Sequence, residues 1–543
     1  MTSASKNGRR ALLAVAGLSA ATLALAGCSA GGGNGDGGSS SSTITVGTTD
    51  KVTALDPAGS YDNGSLAVQT QVFPYLLNTD YNSTDVVPDL AESAEFTAPT
   101  EYTVTLPAGL KWANGNDLTS SDVKFSFDRQ LKIADPNGAS SLLYNLDSVE
   151  APDDTTVVFH LKAENDQVFP QILTSFPGAI VDEESFSADS LTSDDDIVAA
   201  NAFGGPYAIK SYDFNNLISF TKNPNYKGLL KPAETDTVNL KYYADSSNMK
   251  LDVQEGGIDV AYRSLSATDI DDLKGNKKVK VVDGPGGEIR YIVFNFDTQP
   301  FGAKTAEADP AKALAVRQAL ADLIDRDALS EQVYKGTYTP LYSYVPEGLA
   351  GAVEPLKDLY GDGQGGPDAE KAKKTLEDAG VSIPVDLHLQ YNTDHYGPGS
   401  GDEYALIKDQ LEADGLFNVD LQSTEYVQYS KDRVADVYPA YQLGWFPDYS
   451  DADNYLTPFF LIDNFLSNHY VNQEVNDLIL EQAVTPDPAA RTKLIEEIQN
   501  KVAADLSTVP FLQGAQVVVT GTDIDGAVLD GSFKFRFAPL TKG

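Results

Sequence analysis

The stretch "PDLAESAEFTAPTEYTVTLPAGLKWANGNDLTSSDVKFSFDR" (residues 88–129) holds the reading on which the fold turns. At its centre "YTVTLPAGLKW" (102–112) alternates apolar and polar side chains, the period-2 pattern of a strand with one buried face. The alternation returns in "STITVGTTD" (42–50), in "TTVVFHLK" (155–162) and over 385–391, with further strands expected at "LISFTKNPNY" (217–226) and "RYIVFNFD" (290–297). Helical spacing takes over in "LAVRQALADLIDRDALSEQVY" (314–334), where Leu314, Leu320, Leu323 and Ile324 share a face. "PDAEKAKKTLEDAG" (367–380) opens on Pro and Asp and stops at Gly380, and "RTKLIEEIQNKVAADL" (491–506) repeats Leu494, Ile498 and Val502 every four residues. Strands and helices interleave irregularly, which predicts a mixed α/β protein.

A chain of 543 residues is long enough for two to four lobes rather than one core. Its 39 Lys+Arg stand against 79 Asp+Glu, a formal charge of −40. That balance excludes nucleic acid, whose phosphates demand a basic face, and electrostatic adhesion to anionic lipid. Most of the carboxylates, Asp194-Asp195-Asp196 among them, read as solubilising surface.

The N-terminal end has its own logic. Lys6, Arg9 and Arg10 precede an uncharged Ala/Leu-rich run, Ala11 to Ala26, shorter than the about 20 residues a spanning helix needs. This is the layout of a secretory signal peptide over residues 1–27. Cys28 is the one cysteine of the chain, so neither an intramolecular disulfide nor a thiolate metal cluster is open to it. The Gly/Ser run Gly31 to Ser42 reads as a flexible tether, making 28–42 a handle ahead of the body. Without the leader the chain keeps 36 Lys+Arg against 79 Asp+Glu, a charge of −43. Leu25-Ala26-Gly27-Cys28 resembles the bacterial lipobox, which implies acylation of Cys28 and anchoring at the outer face of the cytoplasmic membrane. Gly8 to Leu13 also fits a loose twin-arginine signal, so the export route stays open.

The 88–129 stretch resembles the signature of the oligopeptide- and dipeptide-binding receptors of ABC importers, with Trp112, Asn114-Gly115, Asp122-Val123 and Arg129 in the family's order. Further landmarks follow in sequence: "LDPA" (55–58), "GGPYAIKSY" (204–212), "NPNYKG" (223–228), "VFNFDTQPF" (293–301), "AVRQALADLIDR" (315–326) and "GWFPDYSDADNYL" (444–456). The resemblance covers nearly all of the chain after the tether. It implies a two-lobed, hinged α/β fold with an additional inserted domain: lobe I over 43–75, 205–300 and 509–543, the extra domain over 76–204, and lobe II over 301–508. It also implies a monomeric receptor that captures peptides between its lobes and delivers them to a membrane permease, without catalysis or cofactor.

In that family an aspartate within Gly-Trp-x-x-Asp binds the peptide's N-terminus, and the matching residue in this chain is Asp448. Trp445, Phe446, Tyr449 and Tyr455 would exclude water around it, with Tyr449 and Asn454 as further ligand contacts. For the ligand's carboxylate the candidates are Arg433, His388, His395 and Arg317; Arg433 is preferred, and Arg317, in the Arg-Gln-Ala motif, suits a structural ion pair. Read without the resemblance, Asp448 caps a turn after Pro447 and the aromatics are core.

Other features carry less. "SFPGAI" (175–180) is either a turn or, through Gly178, backbone exposed to a ligand, while Gly204 and Gly205 suit a hinge. "DYSDADNYLTPF" lacks the central Gly and terminal Glu of a calcium loop, and no metal is expected. The alternatives are the same fold with a non-peptide cargo, such as an oligosaccharide or a nickel chelate, or a secreted carboxylate hydrolase. The hydrolase lacks any Gly-x-Ser-x-Gly or His-Glu-x-x-His motif, and abundant acids do not set the carboxylate separation that glycoside cleavage requires.

Overall fold

The structure, a computed structural model, describes residues 43–543; the leader, Cys28 and the tether lie outside them. Local rules account for many element ends. The helix Ser120–Ile133 begins with a capping box, in which the Thr119 hydroxyl accepts from the Ser121 amide and Asp122 accepts from the Thr119 amide. The strand expected over 102–112 stops at Thr105, because Pro107 and the left-handed Gly109 (φ 77°) break it. The helix expected over 314–334 divides after Leu323, since Asp325 caps a new turn by accepting from the Ala328 amide at 2.9 Å. Among the described residues no helix is long and apolar enough to cross a membrane.

One eleven-stranded sheet organises the molecule. It runs from Tyr207–Asp213 through Leu217–Lys222, Thr237–Tyr242, Thr43–Thr48 and Val260–Tyr262 to the long strand Thr508–Gly521. It continues through the similarly long Val279–Phe294 to Ala440–Trp445, Val385–Asn392 and Phe417–Thr424, with Tyr338–Pro340 beside Thr508–Gly521. The two long strands are antiparallel partners, and their register shifts between Pro285 and Ile289. On one side of that shift Val518–Thr520 pair with Val260–Tyr262; on the other, Ile289–Phe294 pair with Ala440–Trp445. The long strands therefore carry the chain from one lobe to the other.

The described residues gather in separate apolar cores. One gathers Ile44, Val46, Val238, Leu240, Val518 and Phe537, and a second gathers Phe294, Leu320, Leu389, Tyr441, Ile498 and Phe511. A third, with Val104, Trp112, Phe127, Phe159 and Leu173, underlies the four-stranded sheet of Ser93–Ala98, Glu101–Thr105, Thr156–Leu161 and Leu146–Asp153. The packing runs across three of the expected boundaries. Ile289, Tyr291, Val293, Val509 and Phe511, assigned by sequence to lobe I, pack in the core of lobe II. Val181, Phe186, Ile197 and Phe203, assigned to the extra domain, pack in the core of lobe I. On the two long strands the alternation continues on both sides of the crossing, so nothing in their pattern marks where the core changes.

Gly284-Pro285-Gly286-Gly287 occupies the crossing. A Cβ on Gly286 would lie 1.9 Å from the Gly514 carbonyl oxygen of the partner strand, an overlap with backbone that no rotamer change relieves. Gly286→Ala is expected to cost about 3 kcal/mol, read as a lowered midpoint in denaturant unfolding. Gly204 and Gly205 have another role than the hinge expected for them. Their amides donate to the Val72 carbonyl at 3.0 and 2.8 Å, and added Cβ atoms would strike Pro74 and the Gln71 carbonyl. They are glycines of close packing.

Candidate functional site

A cavity of about 590 Å³ opens beside the crossing strands, within the range of pockets that enclose small ligands. Gly286, Gly287, Glu288 and Gly514–Val517 supply its floor. Three loops that leave the carboxyl ends of strands close over it: Tyr262–Ser266 from lobe I, and Asp394–Pro398 and Phe446–Ser450 from lobe II. Ligands of open α/β sheets bind at strand ends because the loops there are free of the ladder. Thr174, Ser175 and Ser532–Lys534 also line it.

Asp448 stands on this wall, and its neighbours hold it there. The Asp448 amide donates to Asn454 Oδ1 at 2.9 Å, and Asn454 Nδ2 donates back to Asp448 Oδ2 at 3.1 Å. Asn454 Oδ1 also accepts from Trp445 Nε1 at 2.9 Å. The Tyr61 hydroxyl, from lobe I, donates to Asp448 Oδ1, so this bond joins the lobes. Burial pushes the Asp448 carboxyl above its ordinary value, while the bonds from Tyr61 and Asn454 pull it back down. A carboxylate offers about four acceptor sites. Tyr61 and Asn454 occupy one on each oxygen, which leaves acceptor capacity facing the cavity.

The other expected residues divide. Phe446 and Tyr449 line the cavity with Asp448. Tyr449 is also tied down, its hydroxyl donating to Asp453 Oδ2 at 3.0 Å. Trp445 and Asn454 are not on the wall; Trp445 packs edge-on against Phe459 and Phe465, and both residues act by fixing Asp448. Tyr455 donates to the Gly287 carbonyl at 2.7 Å and is fully buried. Arg433 is a correction: it lies away from the cavity, over the Phe465 ring, with Nη1 donating to the Leu466 carbonyl at 2.8 Å. It stands near the end of the helix Tyr426–Val434, where the Phe465 and Leu466 carbonyls claim it.

His388 is held on its strand between Asp420 and Gln390, each at 3.1 Å, and is not in the wall. Arg317 donates to the Asp505 carbonyl and to Gln299. His395 does reach the cavity, stacked on Tyr426 at 3.7 Å between centroids, and burial pushes its imidazole down, towards the neutral form. Gly178 is not in the wall either; its added Cβ would lie 2.0 Å from the Leu173 carbonyl oxygen, and the cavity is met instead by Thr174 and Ser175.

Sequence reasoning missed Tyr61, Arg263, Glu288 and Lys534. Arg263 follows a three-residue strand in the left-handed conformation (φ 60°), with Nε 3.0 Å from Asp50 Oδ2. Glu288 accepts from the Tyr338 hydroxyl at 2.5 Å and pairs with Arg290 at 3.0 Å, so its charge is answered inside the protein. The acidic run after Asp448 is likewise consumed. Asp451 takes a bidentate pair from Arg491 at 2.7 and 2.8 Å, and Asp453 Oδ1 accepts from Thr457 at 2.6 Å and from Gln482. Asp297, Asp436 and His469 bring ligand atoms within 4.8 Å of one another outside the cavity, but the Lys304 ammonium, 2.7 Å from Asp297, already supplies their cation.

Two lobes joined by crossing strands, with a polar and aromatic cavity between them, define a solute receptor. The family model of bacterial extracellular solute-binding proteins, family 5 (middle), matches residues 85–466, and the chain belongs to that family. It is 26% identical over 498 residues to a probable D,D-dipeptide-binding periplasmic protein of Escherichia coli, covering 90% of this chain and 91% of that one. It is 25% identical to the dipeptide-binding protein of the same organism, over 81% and 82% of the two chains. In structure it is similar to HbpA2 of Haemophilus parasuis, with a TM-score of 0.78, 21% identity, and 92% and 100% of the chains covered. It is an extracytoplasmic binding protein rather than an enzyme.

Proposed function

We propose that this receptor captures peptides in the inter-lobe cavity, holding the α-ammonium on Asp448, and delivers them to an ABC import permease. The observation that carries the reading is the Asp448 carboxylate: it faces a cavity between lobes, is partly desolvated, and is oriented by Tyr61 and Asn454 with acceptor capacity to spare. A fixed anion in such a place suits a cation that arrives with few water molecules of its own. Phe446 and the stacked pair of His395 and Tyr426 offer apolar faces nearby for variable side chains. The Escherichia coli relatives named for dipeptides support the same ligand class. Closure of the lobes around the cargo and reopening at the permease follow from the two-strand crossing. Acylation of Cys28 would keep the receptor beside its permease, and the protein works as a monomer.

The test is the thermal midpoint of the purified protein with free di- to octapeptides, their N-acetylated forms, oligosaccharides and divalent metals. Binding to the folded state raises the midpoint in proportion to ln(1 + [L]/Kd). Free peptides are expected to raise it and acetylated ones to fail. Shifts with sugars or metals alone would retain the receptor and reject the peptide.

A further inference from the structure

A second cavity, of about 380 Å³, stands at the crossing itself, again within the size of pockets that enclose small ligands. Pro285 of the crossing lines it, together with Glu347–Leu349 and the segment Leu529–Gly531. Those two segments belong to different cores: Leu349 packs with Phe294 and Leu320, and Leu529 with Val238 and Val518. Phe533 lines both this cavity and the one that presents Asp448.

Two glutamines of the long strand Thr508–Gly521 fasten both segments to the crossing. Gln513 Nε2 donates to the Gly286 carbonyl at 2.9 Å and to the Glu347 carbonyl at 3.2 Å, and Gln513 Oε1 accepts from the Glu347 amide at 2.8 Å. Gln516 Nε2 donates to the carbonyls of Pro285 and Asp530, each at 2.7 Å. There is direct contact as well: a Cβ on Gly284 would lie 2.4 Å from the Leu529 carbonyl oxygen, and one on Gly348 would lie 3.9 Å from Pro285 Cβ. A change of angle at the crossing therefore changes the shape of this cavity.

The charge of the lining has one sign. No Lys or Arg lines the cavity, and of its two acids Asp530 is spent internally: it is buried and accepts from the Asn82 and Ser532 amides at 2.9 and 3.0 Å. Glu347 is exposed and, among the described residues, makes no ion pair. Gln513 holds its backbone at both ends, so the carboxylate is an unanswered anion on a fixed mount. Leu349, Leu529 and Phe533 supply apolar surface beside it. We infer that this cavity is a second binding site, for a small amphiphilic cation, with an ammonium on Glu347 and an aryl or alkyl body against those three side chains, and that its occupant strengthens the hold on cargo in the first cavity. The sign of the effect follows from the geometry. The cavity has this shape in the arrangement in which Tyr61 reaches Asp448 across the lobes, so an occupant that fits it favours that closed arrangement. The site itself stands without the peptide reading; the effect on peptide affinity rests on it.

Phenethylammonium, at constant ionic strength, is the probe. Calorimetry of trialanine against the wild-type protein at rising probe concentration is expected to show the peptide Kd falling to a plateau about fivefold or more below its starting value. In Glu347→Gln the Kd without probe should be that of the wild type, and the probe should move it by less than about twofold. A wild-type Kd that stays constant or rises with the probe would overturn the coupling. The site is tested apart from peptides in Asp448→Asn, where the anion of the first cavity is gone. The probe should still raise the thermal midpoint of that protein and should fail to raise it once Glu347→Gln is added. Equal shifts with and without the Glu347 carboxylate, or no shift in either protein, would reject the site. Failure of trialanine to bind any of these proteins, with the midpoint shifts as expected, would count against the peptide reading alone.

Discussion

Asp448→Asn is expected to weaken peptide binding by about 100-fold or more while leaving the unliganded protein as stable as the wild type. The two halves of this result have different causes. Binding suffers because the ligand's ammonium would enter a partly dehydrated cavity without its counter-charge, and removing one partner of such a pair costs about 3–5 kcal/mol, which is at least about a hundredfold in affinity. Stability holds because an asparagine satisfies the same neighbours: its oxygen accepts from Asn454 Nδ2 while its amide group donates to the Tyr61 hydroxyl oxygen. The carboxyl it replaces is pushed above its ordinary value by burial, so its charge at neutral pH works against the folded state. Calorimetry with one free peptide on both proteins is the check, and undiminished affinity would remove Asp448 from the site.

How much of this is legible in the sequence depends on how far each fact reaches along the chain. Asp448, Phe446 and Tyr449 are legible because the Gly-Trp-x-x-Asp pattern is local, and the structure puts all three on one wall. Tyr61 is not: it meets Asp448 from 387 residues away, and no periodicity links them. Arg433 is preferred in the sequence because it lies close before the motif, but closeness along the chain says nothing about which groups a guanidinium meets in the fold. The strand expected over 290–297 overlaps the last five residues of the longer Val279–Phe294. Gly284-Pro285-Gly286-Gly287 carries the composition of a turn, yet it continues the strand through a register shift from one lobe into the other. Composition reports the backbone freedom that this segment needs. It does not report whether the chain uses that freedom to reverse or to cross.

Arg129→Leu is expected to destabilise the protein by about 3–5 kcal/mol, among the largest losses any single side chain of this molecule should produce. Arg129 closes the 88–129 stretch and Asp56 sits in "LDPA", two landmarks 73 residues apart that the fold brings into one buried pair. The guanidinium donates to both Asp56 oxygens, at 2.8 and 2.5 Å, and also to the carbonyls of Ser187 and Ser190. The pair is nearly sealed, with 2% and 1% of the two side chains exposed. Asp56 in turn accepts from the Ala58 and Thr192 amides, so this one contact joins the start of lobe I to the helix Ser120–Ile133 and to the loop that returns after it. Leucine fills much of the volume but strands a carboxylate without its cation and two carbonyls without a donor, and that uncompensated charge is the main cost. Neutralising the survivor should recover part of it. Asp56→Asn combined with Arg129→Leu is expected to be more stable than Arg129→Leu alone by about 1–2 kcal/mol, since the asparagine oxygen still accepts from an amide while the buried charge is gone. Denaturant unfolding of the two variants beside the wild type decides it: a loss below about 1 kcal/mol for Arg129→Leu, or a double variant less stable than the single one, would show that the pair contributes by shape rather than by charge.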